Sequence, residues 1–157
     1  MGKEIRTAYT TGTAGKIVAA RLLPGTDLIQ GIVSILKEKD IKNGWVEVIG
    51  SLEEATYFIL EKKDTSKVKL GAGYGDPIHV DGPVELFGAW GLIVDQGIHI
   101  HAAMCDDTGR CFGGHLIEGG NPSLATLEVF ITEVLDANFA RKEDLEIGGN
   151  HFAPFDK

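Results

Sequence analysis

The sequence predicts an α+β fold, in which an antiparallel β-sheet carries one main helix packed on it. One segment alone, residues 27–40, repeats its apolar side chains at helical spacing. The other apolar segments are short and rich in β-branched residues, and 21 glycines punctuate the chain, as in a sheet with many turns. A length of 157 residues suits one domain with a hydrophobic core of its own.

The single helix is expected over residues 27–40. Thr26 is the predicted N-cap, and Asp27 places a negative charge in the first turn, where the helix dipole favours it. Gly44, in the sequence Lys-Asn-Gly, is predicted to stop the helix. The apolar face of the helix consists of Leu28, Ile29, Ile32, Val33, Ile35 and Leu36.

The remaining segments are predicted to be strands and loops. Strands are expected at 16–23, at 45–60 with a break near "GSLEE", at 78–95, and at 124–135. A tight turn is expected near Asp81 and Gly82. Residues 61–77 are polar and glycine-rich, which indicates a loop with room for a short strand, and its glycine-rich end could border a pocket.

We interpret residues 1–157 as one domain, with a core at 16–135, an N-terminal extension at 1–15 and a C-terminal tail at 136–157. No apolar run reaches the roughly 18 to 20 residues that a membrane helix needs. The first residues lack the apolar core of a signal peptide. We therefore expect a cytoplasmic protein that does not contact membranes.

The net charge and the spacing of the glycine-rich stretches argue against two classes of ligand. The formal net charge of −8 disfavours nucleic acid as a ligand, because proteins that bind nucleic acid usually present a basic face. The glycine-rich stretches "GTAGK" and "GAGYG" lack the spacing and the following helix of a phosphate-binding loop. Neither stretch is therefore expected to bind a nucleotide.

The stretch "GIHIHAAMCDDTGRCFGGHLIEGG" holds three of the five histidines and both cysteines of the chain. Its "DDTGR" predicts a hairpin with a three-residue loop ending in Gly109. That turn fixes the register, so that Asp106 faces Arg110, Cys105 faces Cys111, and His101 faces His115.

This register places His99, His101 and His115 on one face of the hairpin, because side chains alternate along a strand. Three neutral imidazoles suit Zn²⁺ or another late first-row divalent ion, and they leave a coordination position open for water or substrate. The alternative is a set of polar residues on a solvated face, with a bulge at "GG" turning His115 away. Convergence of three histidines favours the metal site.

The two cysteines are expected to be reduced in a cytoplasmic chain. If the register holds, Cys105 and Cys111 lie roughly 13 Å along the strand from His101 and His115, at about 3.3 Å per residue. They are therefore not predicted to be metal ligands. A cross-strand disulfide is the alternative.

Five motifs in this order resemble the plants and prokaryotes conserved (PPC) domain in its stand-alone prokaryotic form, over roughly residues 16–135. They are "RLLPGTDLIQGI", "GSLEEATYFIL", "GPVELFGAWGLI", "HIHAAMCDDTGRCFGGHLIEG" and "LEVFI". The resemblance implies a homotrimer in which each subunit packs its sheet against the next. It also implies that His99, His101 and His115 form a metal site near a subunit interface, which a neighbour's carboxylate or a water could complete.

The favoured hypothesis is a trimeric metal-dependent enzyme, a hydrolase or lyase, or a small-molecule binder. Glu53 and Glu85 match recurrent polar positions of the family and are the candidate catalytic residues. Glu118 matches another, but strand parity turns it away from His115. One alternative is a DNA-associated regulator, which rests on family analogy and lacks the AT-hook of the plant relatives. The other is a non-catalytic trimeric scaffold.

Overall fold

The computed structural model describes residues 5–66 and 70–155 of the chain. It contains one helix and a large antiparallel sheet, which confirms the predicted fold class. The elements in chain order are β1 Thr13–Leu22, α1 Leu28–Lys39, β2 Gly44–Phe58, β3 Leu60–Lys62, β4 Ala72–Tyr74, β5 Ile78–Val94, β6 Gly97–Asp106, β7 Cys111–Leu116, β8 Ser123–Leu135, β9 Arg141–Glu143 and β10 Asn150–Phe152.

The main sheet has six strands in the order β1-β8-β2-β5-β6-β7. Strand β2 is long enough to pair with β8 along its first part and with β7 at its end, where Phe58 faces His115. The sheet therefore curls back on itself, and β7 closes against the strand at its centre. Two short two-stranded ribbons, β3–β4 and β9–β10, form sheets of their own and do not pair with strands of the main sheet.

One face of the sheet forms the core with helix α1. The helix buries Leu28, Ile29, Ile32 and Leu36, and Val33 and Ile35 pack against the same core, as predicted. Burial of four such side chains stabilises the fold by several kcal/mol, at about 1.5–3 kcal/mol each. None of the described helices is long and apolar enough to cross a membrane. The other face of the sheet carries no helix and is called the outer face below.

The predicted helix 27–40 is confirmed to within one residue at each end, but both predicted capping residues are wrong. The N-cap is Asp27 rather than Thr26, because its carboxylate accepts from the backbone N–H of Gln30 at 3.0 Å and from that of Asn121 at 3.0 Å. The helix stops at Asp40, which adopts the left-handed conformation with φ 50°. Gly44 instead begins β2.

The turn predicted near Asp81 and Gly82 is also wrong, since β5 continues through it as one 17-residue strand. Leu52 pairs with Val84 and Glu54 pairs with Asp81, so Gly82 and Pro83 form a bulge opposite a single residue of β2. The same irregularity accounts for the break predicted at "GSLEE", where β2 shifts register without ending.

Candidate metal centre

The β6–β7 hairpin has the register that its turn predicts. Cys105 pairs with Cys111 and His101 pairs with His115, with no shift between the two pairs. The turn is closed by the Asp106 backbone N–H, which donates to the Arg110 carbonyl at 3.1 Å. Gly109 has φ 79°, the left-handed conformation that this loop requires. The glycines at 113 and 114 therefore keep the ladder flat.

Three histidines converge on the outer face of this hairpin. Atoms of His99, His101 and His115 that could bind a metal all lie within 4.8 Å of one another. Nε2 of His99 is 3.0 Å from Nε2 of His101. Two nitrogens bound to one tetrahedral zinc lie about 3.3 Å apart, given Zn–N bonds of about 2.0–2.1 Å. The three imidazoles therefore fit such an ion after small side-chain adjustments.

Burial and mutual repulsion favour the neutral form of His99 and His115. Burial lowers the pKa of His115 to about 4, and the neighbouring charges of His99, His101 and Arg141 add to the effect. Burial likewise lowers the pKa of His99, with His101 and Arg141 contributing. A histidine binds a metal through a neutral ring nitrogen, so the lowered pKa values of His99 and His115 favour the form that a metal needs.

Tyr74 supports His115 from outside the hairpin. Its hydroxyl lies 3.1 Å from Nδ1 of His115, and its ring stacks on Phe58 with centroids 5.5 Å apart. When Nδ1 carries the hydrogen and donates to Tyr74, Nε2 is left free to bind a metal. Sequence reasoning missed Tyr74, although it expected that the glycine-rich end of the loop, "GAGYG", could border a pocket.

A cleft of about 500 Å³ opens beside two of the histidines. Its walls come from β4, β6, β7 and the β9–β10 ribbon of the C-terminal tail. The lining residues are Tyr74, Ile98, His99, His115, Arg141, Asn150, His151 and Phe152. The contribution of the tail was not anticipated from the sequence, which has no periodic signal after residue 135.

The structure does not bring Glu53 or Glu85 to the three histidines. Glu85 is exposed on β5 and faces Cys105, which is four residues, or about 13 Å, along β6 from His101. Glu53 is exposed on β2 opposite the bulge of β5, five residues before Phe58. Glu118 follows the end of β7 and is exposed. A catalytic role for Glu53 and Glu85 stays a prediction.

The histidines adjoin a broad apolar part of the outer face. Strand pairings align one row of residues across the whole sheet, from β1 to β7: Ala19, Phe130, Glu47, Trp90, His101 and His115. Trp90 and Phe130 are 47% and 46% exposed, and Trp45 and Ile49 beside them are 42% and 52% exposed. Large exposed apolar patches of this kind mark interaction surfaces.

Residues 9–135 match the model of the Plants and Prokaryotes Conserved domain, abbreviated PCC or PPC. The chain belongs to this family. The match includes the whole six-stranded sheet and all three clustered histidines. The tail that carries Arg141 lies beyond the matched residues.

Three proteins that are similar to this chain have different names. A metal-containing protein from Archaeoglobus fulgidus has the same fold, with a TM-score of 0.74 and 24% identity over 94% of this chain and 99% of its own. A candidate DNA-binding protein from Bacteroides thetaiotaomicron has a TM-score of 0.70 and 18% identity over 90% of this chain and 96% of its own. Bifunctional protein GlmU of Synechococcus sp. (strain JA-3-3Ab) is 27% identical over 134 residues, 85% of this chain. This chain spans only 20% of that protein's length.

Proposed function

We propose that this PPC-domain protein is a trimeric, zinc-dependent enzyme, a hydrolase or lyase, or a binder of a small molecule. The observation that carries the proposal is the convergence of His99, His101 and His115 beside a cleft. Three protein ligands are typical of catalytic zinc, because a further position stays open to water or substrate. A bound Zn²⁺ would supply Lewis acidity, which polarises a carbonyl or activates a water.

The surroundings of the histidines support zinc over the harder metals. Neutral imidazoles favour zinc and other late first-row ions, whereas Mg²⁺ and Ca²⁺ prefer carboxylate oxygens. No carboxylate lies within the cluster among the described residues. Tyr74 provides the hydrogen bond to the non-ligating nitrogen that metal-bound histidines usually make. The name of the Archaeoglobus fulgidus relative, a metal-containing protein, agrees with this proposal.

The test is metal analysis of protein purified without chelators. We expect about one zinc per chain in the wild type, and a loss of zinc affinity of at least about 100-fold in His101→Ala. His79→Ala and Cys105→Ala are matched controls, since His79 lies outside the cluster and Cys105 lies four residues from His101 on the same face. A wild-type protein without stoichiometric metal would contradict the proposal.

The trimer is supported by the apolar outer face. Trp90 is exposed there and lies directly opposite His101, so subunits that pack through this face would place their metal sites at the interface. Light scattering should give three times the chain mass of 16.9 kDa. We expect Trp90→Glu to shift the mass to that of one chain, and Leu23→Glu, which changes an exposed side chain just after β1, to leave it unchanged. A wild-type monomer would exclude the trimer.

A DNA-associated regulator is the second candidate. It is favoured by the Bacteroides thetaiotaomicron relative, a candidate DNA-binding protein with this fold. The net charge of −8 disfavours it. A shift of duplex DNA that weakens with salt would support this role, and the absence of any binding at low salt would exclude it.

A further inference from the structure

Arg141 is a basic residue without an acidic partner among the residues that the structure describes. The chain has 23 acidic and 15 basic residues, yet no ion pair of Arg141 occurs within residues 5–66 and 70–155. Its side chain lines the cleft beside His99 and His115. No residue of that lining carries a carboxylate, among those that the structure describes. The cleft is therefore a locally positive site on a negatively charged molecule.

The ribbon that carries Arg141 is built to hold it in place. Arg141 pairs with Phe152, and the next residue, Ala153, donates its N–H to the Ala140 carbonyl at 2.8 Å. The turn is closed by Asp144, whose carboxylate accepts two backbone N–H groups at 2.8 and 3.1 Å. The ring of Phe139 packs edge-on against that of Phe152 at 5.2 Å. The ribbon therefore fixes the backbone of Arg141, while its exposed side chain keeps rotamer freedom that is lost when it pairs with an anion.

The electrostatic influence of Arg141 reaches the neighbouring groups. After burial and the two other histidines, its positive charge contributes to the lowered pKa of His115. It acts in the same direction on Tyr74, whose pKa burial raises and Arg141 lowers. Arg141, His99 and His115 line the same cleft, so an anion bound at Arg141 would also lie beside these two histidines.

We propose that the cleft binds a small carboxylic acid, whose carboxylate pairs with Arg141 while its apolar part lies against Ile98 and Phe152. A single planar guanidinium matches one carboxylate by two parallel hydrogen bonds. Phosphate is usually held by several donors, such as a lysine or a helix N-terminus, and the lining offers neither. The volume of about 500 Å³ is within the range of small-molecule pockets.

This inference deepens the proposed function, because it assigns a substrate class to the cleft beside the three histidines. A carboxylate at Arg141 would orient the rest of the acid toward the face where the metal is proposed. The pairing with Arg141 itself does not require the metal. Failure of one proposal is therefore separable from failure of the other.

The experiment compares acids with their neutral amides. Binding of benzoate and benzamide, and of propionate and propionamide, is measured by calorimetry or ligand-observed NMR on zinc-loaded and on chelator-treated protein. We expect at least one acid to bind about tenfold or more tightly than its amide, and Arg141→Gln to abolish the difference. Lys142→Gln is the matched control, because it removes the same charge at the next residue. The side chain of Lys142 packs on the ring of Phe155.

The outcomes separate the two proposals. Zinc binding without any preference for the acids, or a preference that survives Arg141→Gln in a protein with an unchanged melting temperature, would overturn the carboxylate site alone. A preference that depends on Arg141 in a protein that binds no zinc would uphold the carboxylate site and overturn the metal proposal. Inorganic phosphate that binds through Arg141 more tightly than either acid would overturn the assignment to carboxylates.

Discussion

Two pairs of residues on one hairpin have the same local geometry and different surroundings. His101–His115 and Cys105–Cys111 are both opposed cross-strand pairs on the outer face, four residues apart along β6. Because the hydrogen-bonded pair Asp106–Arg110 closes the turn, both belong to the set of non-hydrogen-bonded pairs, in which side chains approach most closely. Local geometry alone therefore does not distinguish a site from a neighbouring surface.

The difference lies in what packs over each pair. The histidine end of the hairpin, which holds His101 and His115, is covered by Tyr74 from the β3–β4 ribbon and bordered by the β9–β10 ribbon. His99 adds a third imidazole there. The cysteine end lies at the exposed turn, where Cys111 is exposed and Cys105 is half-buried. Enclosure by distant segments lowers the pKa of His115 and creates the cleft. These segments turn one of two equivalent pairs into a candidate site.

The largest effect is expected from a substitution at Gly114 in β7, compared with one at Gly109 in the turn before β7. A Cβ on Gly114 would meet the backbone carbonyl of Phe58, so Gly114→Ala must push β7 away from β2. We expect it to lower the free energy of unfolding by about 3 kcal/mol and to weaken zinc binding. Gly109→Ala, at φ 79° in open space, should cost about 1 kcal/mol and leave zinc binding unchanged. Denaturant titrations and zinc titrations measure both quantities, and equal effects of the two substitutions would contradict the comparison.

A smaller effect is expected from removing the hydrogen bond that covers the histidine end. Tyr74→Phe keeps the ring that stacks on Phe58 and removes the hydroxyl 3.1 Å from Nδ1 of His115. We expect zinc affinity to fall by about tenfold. This is the lower end of the loss seen when a residue that hydrogen-bonds a metal-bound histidine is replaced. Competition with a chromophoric chelator measures the change. Tyr9→Phe, at an exposed position in the N-terminal extension, serves as the control, and an unchanged affinity in Tyr74→Phe would show that Tyr74 does not orient His115.

The pH dependence of the metal-free protein is expected to reflect the buried histidine end. The pKa of His115 is about 4 in the fold, below the value near 6.5 of an unfolded chain. As the pH falls, the unfolded chain binds the proton first, so stability is full above pH 6.5 and is lost progressively toward pH 4. Between pH 7 and 5 we expect a loss of about 1 kcal/mol, after allowance for solvent screening at this half-exposed site.

Denaturant titrations in chelator at both pH values measure this loss. His115→Gln should reduce it, and part of it should remain because the pKa of His99 is also lowered. An unreduced loss in His115→Gln would show that His115 is not the group responsible.

The smallest effect is expected at the cysteine end. Burial raises the pKa of the Cys105 thiol, with the neighbouring Cys111, Glu85 and Asp106 adding to it. Because the thiolate is the reactive form, iodoacetamide at neutral pH should label the exposed Cys111 several-fold faster than Cys105. Mass spectrometry measures the two rates. Labelling of Cys111 should leave zinc binding intact, and a loss of zinc would show that the two ends of the hairpin are coupled.

Much of the fold and part of the candidate site follow from short-range patterns. The helical spacing from Leu28 to Leu36 predicts the one helix, since a 3.6-residue period is readable in any amphipathic segment. Its N-cap was misjudged because Asp27 owes its role partly to Asn121, 94 residues away in the chain. The bulge at Gly82 and Pro83 has the composition of a turn, and only pairing with β2 makes it part of a continuous strand.

The sequence by itself determined that His99, His101 and His115 share a face. The turn around Gly109 fixes the register, and a strand period of two carries that register outward to the histidines. Only the tertiary structure decided what encloses them. Tyr74 and Arg141 come from segments that have no periodicity and lie 41 and 26 residues from His115 in the chain, and the contacts that bring them there leave no local signal.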